Sequence, residues 1–170
     1  MSFAWKFAFW GVSWASIIAV GVFSPKIVVN WLLPYILLPI GIAFMIYGLL
    51  LNAIAGRTLK KYGHMEIKRG IKKPDRLVRI GIYSCMRHPA QFGSIFFGIG
   101  ISFLTLKLIA ILYAGWISLA ALYFIMAIEE RETLELFGEE YCEFIKSRKP
   151  FTFSISCLRK GIEAIRDSSH

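Results

Sequence analysis

Four long apolar runs, separated by polar breaks, dominate the chain. The first extends from about Phe3 to Phe23 and the second from about Trp31 to Ala55. The third extends from about Ala90 to Leu106 and the fourth from Leu108 to Ile128. An apolar run of about 18 or more residues reads as a membrane-spanning helix. The pattern therefore predicts an all-α integral membrane protein with about four transmembrane helices. Ser24-Pro25-Lys26 breaks the chain after the first run, and Pro34 and Pro39 predict a kink early in the second. Membrane helices tolerate such prolines where neighbours satisfy the freed carbonyls. Lys107 alone separates the third and fourth runs, which predicts an antiparallel helical hairpin.

The polar segments divide the rest. Residues 56–88 form a basic stretch broken by Gly63, Gly70 and Pro74, too long for a plain hairpin loop. After Ile128 comes a polar tail that opens Glu129-Glu130-Arg131-Glu132, with Gly138 as a break between two short helices. Ile155, Leu158, Ile162 and Ile165 then recur at helical spacing beside Arg159, Lys160 and Arg166. That pattern fits equally a helix lying in the membrane interface and one packed on the domain. The chain thus divides into a two-helix membrane segment (1–55), a central unit (56–150) and an amphipathic tail (151–170).

Composition agrees with a membrane protein. Of 170 residues, 56% are hydrophobic and 18% charged, against about 25% charged in soluble domains. Mean hydropathy is +0.58. A net charge of +9 would suggest nucleic acid, but its placement argues for topology instead. Of the twenty Lys and Arg, ten lie in residues 56–87 and seven in residues 129–170. Basic residues beside spans mark the cytoplasmic face and favour anionic lipid headgroups. With four spans, both termini lie on that face, and no nucleic-acid partner is expected. The absence of sorting signals suits a prokaryotic plasma membrane, and the first run reads as an uncleaved span. Cys85, Cys142 and Cys157 show no metal spacing, and cytoplasmic placement makes reduced thiols the expectation.

Candidate chemistry gathers at two places. Tyr83, Arg87, His88 and Pro89 stand where the basic stretch enters the third run. A His and an Arg at a membrane entrance suit an anionic or zwitterionic ligand, or a proton transfer. The alternative is that both merely reach for the interface. Pro89 suits a first helical turn. Glu129 and Glu130 follow the fourth run directly, and a carboxylate so near hydrocarbon is expensive unless paired or used. Glu129 is the candidate to hold a cationic group, while Glu130 reads as a solvated helix start. Gly93, Gly98 and Gly100 on the third run favour close helix packing, with room for a ligand as the alternative. His64 and His170 have no partner spacing, and no dinucleotide, P-loop or HExxH motif is present.

These residues carry a resemblance. Leu77-Val78, Gly81-Ile82-Tyr83 and Arg87-His88-Pro89 are followed by an apolar hairpin, Glu129-Glu130 and Phe137-Gly138-Glu139-Glu140-Tyr141. Over about residues 55–150 the chain resembles the isoprenylcysteine carboxyl methyltransferases and their kin, the membrane phospholipid methyltransferases. The resemblance implies an S-adenosylmethionine-dependent enzyme acting on a lipophilic or lipidated acceptor that enters from the bilayer. It implies a cytoplasmic cofactor pocket formed by the last helical hairpin, the basic loop before it and the C-terminal tail. The implied cofactor contacts are Asp75, Arg76, Leu77, Val78, Tyr83, His88, Pro89, Ala90, Gln91 and Glu129. Arg87, His88 and Glu129 are the implied catalytic set, with Arg87 at the substrate mouth and no metal.

The chain departs from the family pattern twice. Gln91 stands where a tyrosine is usual, and Ile125 stands where an arginine orients the substrate carboxylate. The second departure argues against isoprenylcysteine as the acceptor. Two other readings share parts of the pattern. Membrane sterol reductases, which use NADPH, show a similar Arg-His-Pro segment, and a non-catalytic membrane protein with a degraded site would show such departures.

Overall fold

The computed structural model describes residues 3–25, 33–63, 65–68, 71–74 and 76–166, with the backbone alone for residues 3–5, 65–68 and 71–74. Asp75, His64 and His170 lie outside the described residues. Helix α1 (Phe3–Phe23) coincides with the first apolar run. Helix α2 (Leu33–Tyr62) continues seven residues beyond the expected end, past Ala55. At 1.5 Å per residue its 30 residues reach about 45 Å, well beyond a hydrocarbon core of about 30 Å. The extension carries Arg57, Lys60 and Lys61, residues that belong in water. An antiparallel hairpin follows, β1 (Met65–Lys68) paired with β2 (Ile71–Pro74). It is the one strand pair in an otherwise helical fold among the described residues.

A 3-10 turn (Gly81–Ser84) leads into helix α3 (Pro89–Leu104), which starts on its proline as expected. A turn at Thr105 and Leu106 reverses the chain into α4 (Leu108–Phe124). Then comes a single π-helical turn (Ile125–Glu129), continuous with α5 (Glu130–Phe137). Gly138, at φ 55°, breaks the chain before α6 (Glu139–Ser147), and α7 (Ile155–Arg166) closes it.

Three described helical stretches are long and apolar enough to cross a membrane: Lys6–Phe23, Leu33–Tyr62 and Leu108–Phe137. Helix α3 is apolar but has 16 residues, about 24 Å of helix. Large apolar side chains such as Val12, Ile42, Leu112 and Leu119 are exposed on α1, α2 and α4. An apolar surface this extensive belongs against lipid rather than water.

Helix α3 is the centre of the bundle. It packs on α1, α2 and α4, while α1 packs on α3 and α4. Glycines set the α2–α3 contact. A Cβ on Gly48 would lie 2.4 Å from the Gly93 carbonyl, and one on Gly100 would lie 2.7 Å from the Gly41 carbonyl. Gly93 and Gly100 therefore serve packing, and Gly98 likewise faces Ile17 and Trp14.

Leu51, Ile54, Ala55, Ile82, Met86 and Cys157 form a buried cluster where α2, the 3-10 turn and α7 meet. Helix α7 is thus packed on the domain through Cys157 and Gly161, while Ile155 and Ile162 stay exposed. Cys85 and Cys157 are joined as a disulfide, with Cα atoms 5.9 Å apart. This corrects the expectation of three reduced thiols. Their 72-residue separation hides a proximity that only the docking of α7 creates. Cys142 is free and exposed.

Candidate active site

A cavity of about 810 Å³ opens where α1, α2, α3 and the tail helices converge. The wall given by α1 is apolar, with Phe7, Trp10 and Trp14, and Leu49 of α2 is also in the lining. The lining also holds the polar Tyr83, Arg87, His88, Gln91 and Glu129.

A π turn ends on Glu129, the next helix begins on Glu130, and His88 meets both carboxylates. Such turns insert a residue into a helix and recur at functional positions. Glu129 is buried, and Gln91 Nε2 donates to its two carboxylate oxygens at 2.7 and 2.8 Å. The Lys6 ammonium, from α1, donates to the same carboxylate. Glu130 instead takes Arg87 Nη2 at 2.8 Å and His88 Nε2 at 3.0 Å. His88 Nδ1 stands 3.9 Å from Glu129, so the imidazole lies between the two carboxylates. The expectation that Glu130 is a solvated helix start is corrected, because its side chain is 13% exposed and its Oε1 takes both Arg87 and His88.

Arg87 is buried rather than reaching for the interface. Its Nη1 donates to the Ile145 carbonyl at 3.1 Å, tying α3's entry to α6. Its Nε is buried with no hydrogen-bond partner among the described residues. A strap, residues 148–153, returns over this entry. The Arg87 and His88 amides donate to the Lys149 and Pro150 carbonyls. Phe151 stacks on Phe92 with ring centroids 5.2 Å apart. Burial, followed by the charge of Glu129, pushes the Tyr83 phenol well above its ordinary range. Burial does the same at Tyr141, reinforced by Glu130.

Most of the expected residues meet here. Arg76, Leu77, Val78, Tyr83, Arg87, His88, Ala90, Gln91 and Glu129 all line the cavity. Pro89 is buried at the start of α3 and does not line it, and Ile125 is buried at the head of the π turn. Lys6 and Glu130 were not foreseen as site residues. A lone lysine within an apolar run was the available signal for Lys6, since a charge there is costly without a partner.

A family model described as phospholipid methyltransferase matches residues 36–140. The chain belongs to the phospholipid methyltransferase family. The chain is 30% identical over 112 residues to a protein-S-isoprenylcysteine O-methyltransferase of Dictyostelium discoideum, covering 64% of this chain and 46% of that protein. Its fold is similar to that of a eukaryotic intramembrane Ras methyltransferase, an isoprenylcysteine carboxyl methyltransferase, with a TM-score of 0.57 and 24% identity. That likeness covers 90% of this chain and 54% of the other. The chain spans about half the length of these relatives. The all-helical membrane fold and the family therefore agree with the pattern read from the apolar runs and from the Arg-His-Pro and Glu-Glu segments.

Proposed function

We propose that the chain is an S-adenosylmethionine-dependent membrane methyltransferase acting on a lipophilic acceptor. The observation that carries the reading is the buried Glu129 carboxylate in a cavity that it shares with the apolar Phe7, Trp10 and Trp14. The donor set fits the cofactor. Glu129 suits its cationic amino end, the unpartnered Arg87 Nε suits its carboxylate, and Arg76, Leu77, Val78, Tyr83, Ala90 and Gln91 would border the rest. S-adenosylmethionine, when bound, supplies an electrophilic methyl on a sulfonium.

The protein's own part is to bind, orient and exclude water. Holding an acceptor in line converts an encounter into a unimolecular step, which supplies a large share of such catalysis. Glu130 fixes Arg87 and His88, so the cationic side of the pocket is rigid before any ligand arrives. His88, between two carboxylates, is placed to take a proton from a protonated acceptor. The apolar wall of Phe7, Trp10 and Trp14 offers a lipid chain a place outside water. The site would face the cytoplasm, where basic residues of the flanking segments concentrate.

The deciding measurement is calorimetric binding of S-adenosylhomocysteine to the purified protein in detergent, with NADPH as the parallel ligand. Saturable binding of the first is expected, weakened at least about 10-fold by Glu129→Ala, as for loss of a charged hydrogen-bond partner. Unchanged affinity in that variant would defeat the role given to Glu129. Binding of NADPH alone would move the chain to the reductases, and binding of neither would leave the non-catalytic reading.

A further inference from the structure

A polar junction interrupts the apolar wall of the cavity. Ser94 lies three residues beyond Gln91 on the same face of α3, and both line the cavity. Three helices meet there. Trp14 Nε1 of α1 donates to the Ser94 carbonyl at 3.2 Å, and Asn52 Nδ2 of α2 donates to the Gly48 carbonyl at 3.1 Å. These two bonds are of ordinary length.

The contact between the Asn52 and Ser94 side chains is different. Asn52 Nδ2 stands 3.4 Å from Ser94 Oγ, and Ser94 Oγ stands 3.5 Å from Asn52 Oδ1. Both exceed the usual range for good hydrogen bonds. One hydroxyl hydrogen and one marginal amide contact leave the pair with unused capacity to donate and accept. A polar pair left so in an apolar wall is costly, and polar groups at such depth mark ligand paths. The cavity has space along two of the helices that meet at the pair. Gly11 and Gly56 both line it, and a Cβ on either would meet nothing within 4 Å. Those glycines contrast with Gly48 and Gly93, where a Cβ collides with backbone.

We propose that Asn52 and Ser94 form a specificity-determining site for the acceptor, which hydrogen-bonds an ester or amide carbonyl of its lipid linkage. A bare hydrocarbon chain would leave the pair unsatisfied, whereas a carbonyl oxygen accepts from the Ser94 hydroxyl or the Asn52 amide. The carbonyl would sit about one helical turn, roughly 5 Å, from the Gln91–Glu129 end of the cavity. The inference rests on the methyltransferase reading and adds to it the chemistry of the acceptor's linkage. Glycerolipid esters and the amide of an acylated prenylcysteine share that chemistry.

The experiment compares two acceptor pairs in vesicles, with labelled S-adenosylmethionine as donor. One pair is diacyl phosphatidylethanolamine and its dialkyl ether counterpart. The other is N-acetyl-S-farnesylcysteine and S-farnesylthiopropionate, which lacks the amide. In the pair that is methylated, the carbonyl-bearing member is expected to lead by roughly threefold to tenfold in kcat/KM, the worth of one hydrogen bond. Asn52→Leu should bring that ratio to about one while S-adenosylhomocysteine affinity is unchanged, and Ser94→Ala should move the ratio the same way. A purely structural role would instead lower both members of a pair equally. Equal use of both members by the native protein, or a ratio that survives Asn52→Leu, would overturn the proposal. So would methylation of neither pair by protein that binds S-adenosylhomocysteine. If the native protein binds no S-adenosylhomocysteine, the methyltransferase reading itself fails and this proposal falls with it.

Discussion

At Glu129 and Glu130, two neighbouring carboxylates take different partners, one from Lys6 and Gln91, the other from Arg87 and His88. Beside them, Tyr83 supplies a measurable consequence. Its phenol is neutral in the fold to well above its ordinary range, because burial and the charge of Glu129 oppose ionisation. Above about pH 10 the unfolded chain has released that proton while the folded chain still holds it. The unfolded state then binds fewer protons, so stability falls as pH rises. Tyrosinate absorbance in an alkaline titration should show Tyr83 ionising only with unfolding, and Tyr83→Phe should flatten the alkaline loss. A Tyr83 that titrates normally in folded protein would refute its burial beside Glu129. The sequence made Glu129 conspicuous, since a carboxylate directly after 21 apolar residues needs a reason. It did not do so for Glu130, because adjacent helical side chains point about 100° apart, and the Arg87 and His88 that meet it come from a segment about 40 residues away in sequence.

Among the elements, two sets of glycines do opposite things. Gly48 and Gly93 let α2 and α3 touch, while Gly11 and Gly56 border open space. Gly48→Ala should destabilise the fold by about 1–3 kcal/mol, as overpacking does. Gly11→Leu should leave the melting temperature nearly unchanged and yet reduce acceptor turnover by filling the cavity. Thermal melts of both variants, beside methyl-transfer rates, would check the contrast. Equal destabilisation by the two would contradict it. Small residues on an apolar run announce close approach or a vacant space without saying which, so this distinction was not legible in the sequence. The strap of residues 148–153 was equally hidden. Its grip on the Arg87 and His88 amides is made by backbone carbonyls, which any residue carries. The helices themselves were legible because length and hydropathy suffice to define them. The end of α2 was missed because Arg57, Lys60 and Lys61 ended the apolar run without ending the helix.

On the scale of the whole molecule, the cavity gathers the start of α1, the end of α2, the start of α3 and the residues after α4, which is one end of the bundle and predicts a sided protein. Cys142 is its free and exposed thiol, whereas Cys85 and Cys157 are joined. Alkylation of unreduced protein, read by mass spectrometry, should therefore modify one of the three cysteines, and all three after reduction and unfolding. A membrane-impermeant maleimide should reach Cys142 from the cytoplasmic side alone. Labelling from the opposite side would invert the topology, and modification of all three without reductant would remove the disulfide. The wall built by α1 has a wider consequence. The match to the family begins at residue 36, yet Phe7, Trp10 and Trp14 shape the lipid side of the cavity, and Lys6 reaches Glu129. On the proposed reading, a helix outside the matched stretch frames the acceptor, beside a core that carries the groups for both partners. Edits to the apolar face of that one helix would then retune which acceptor fits, provided that Lys6 is kept for Glu129.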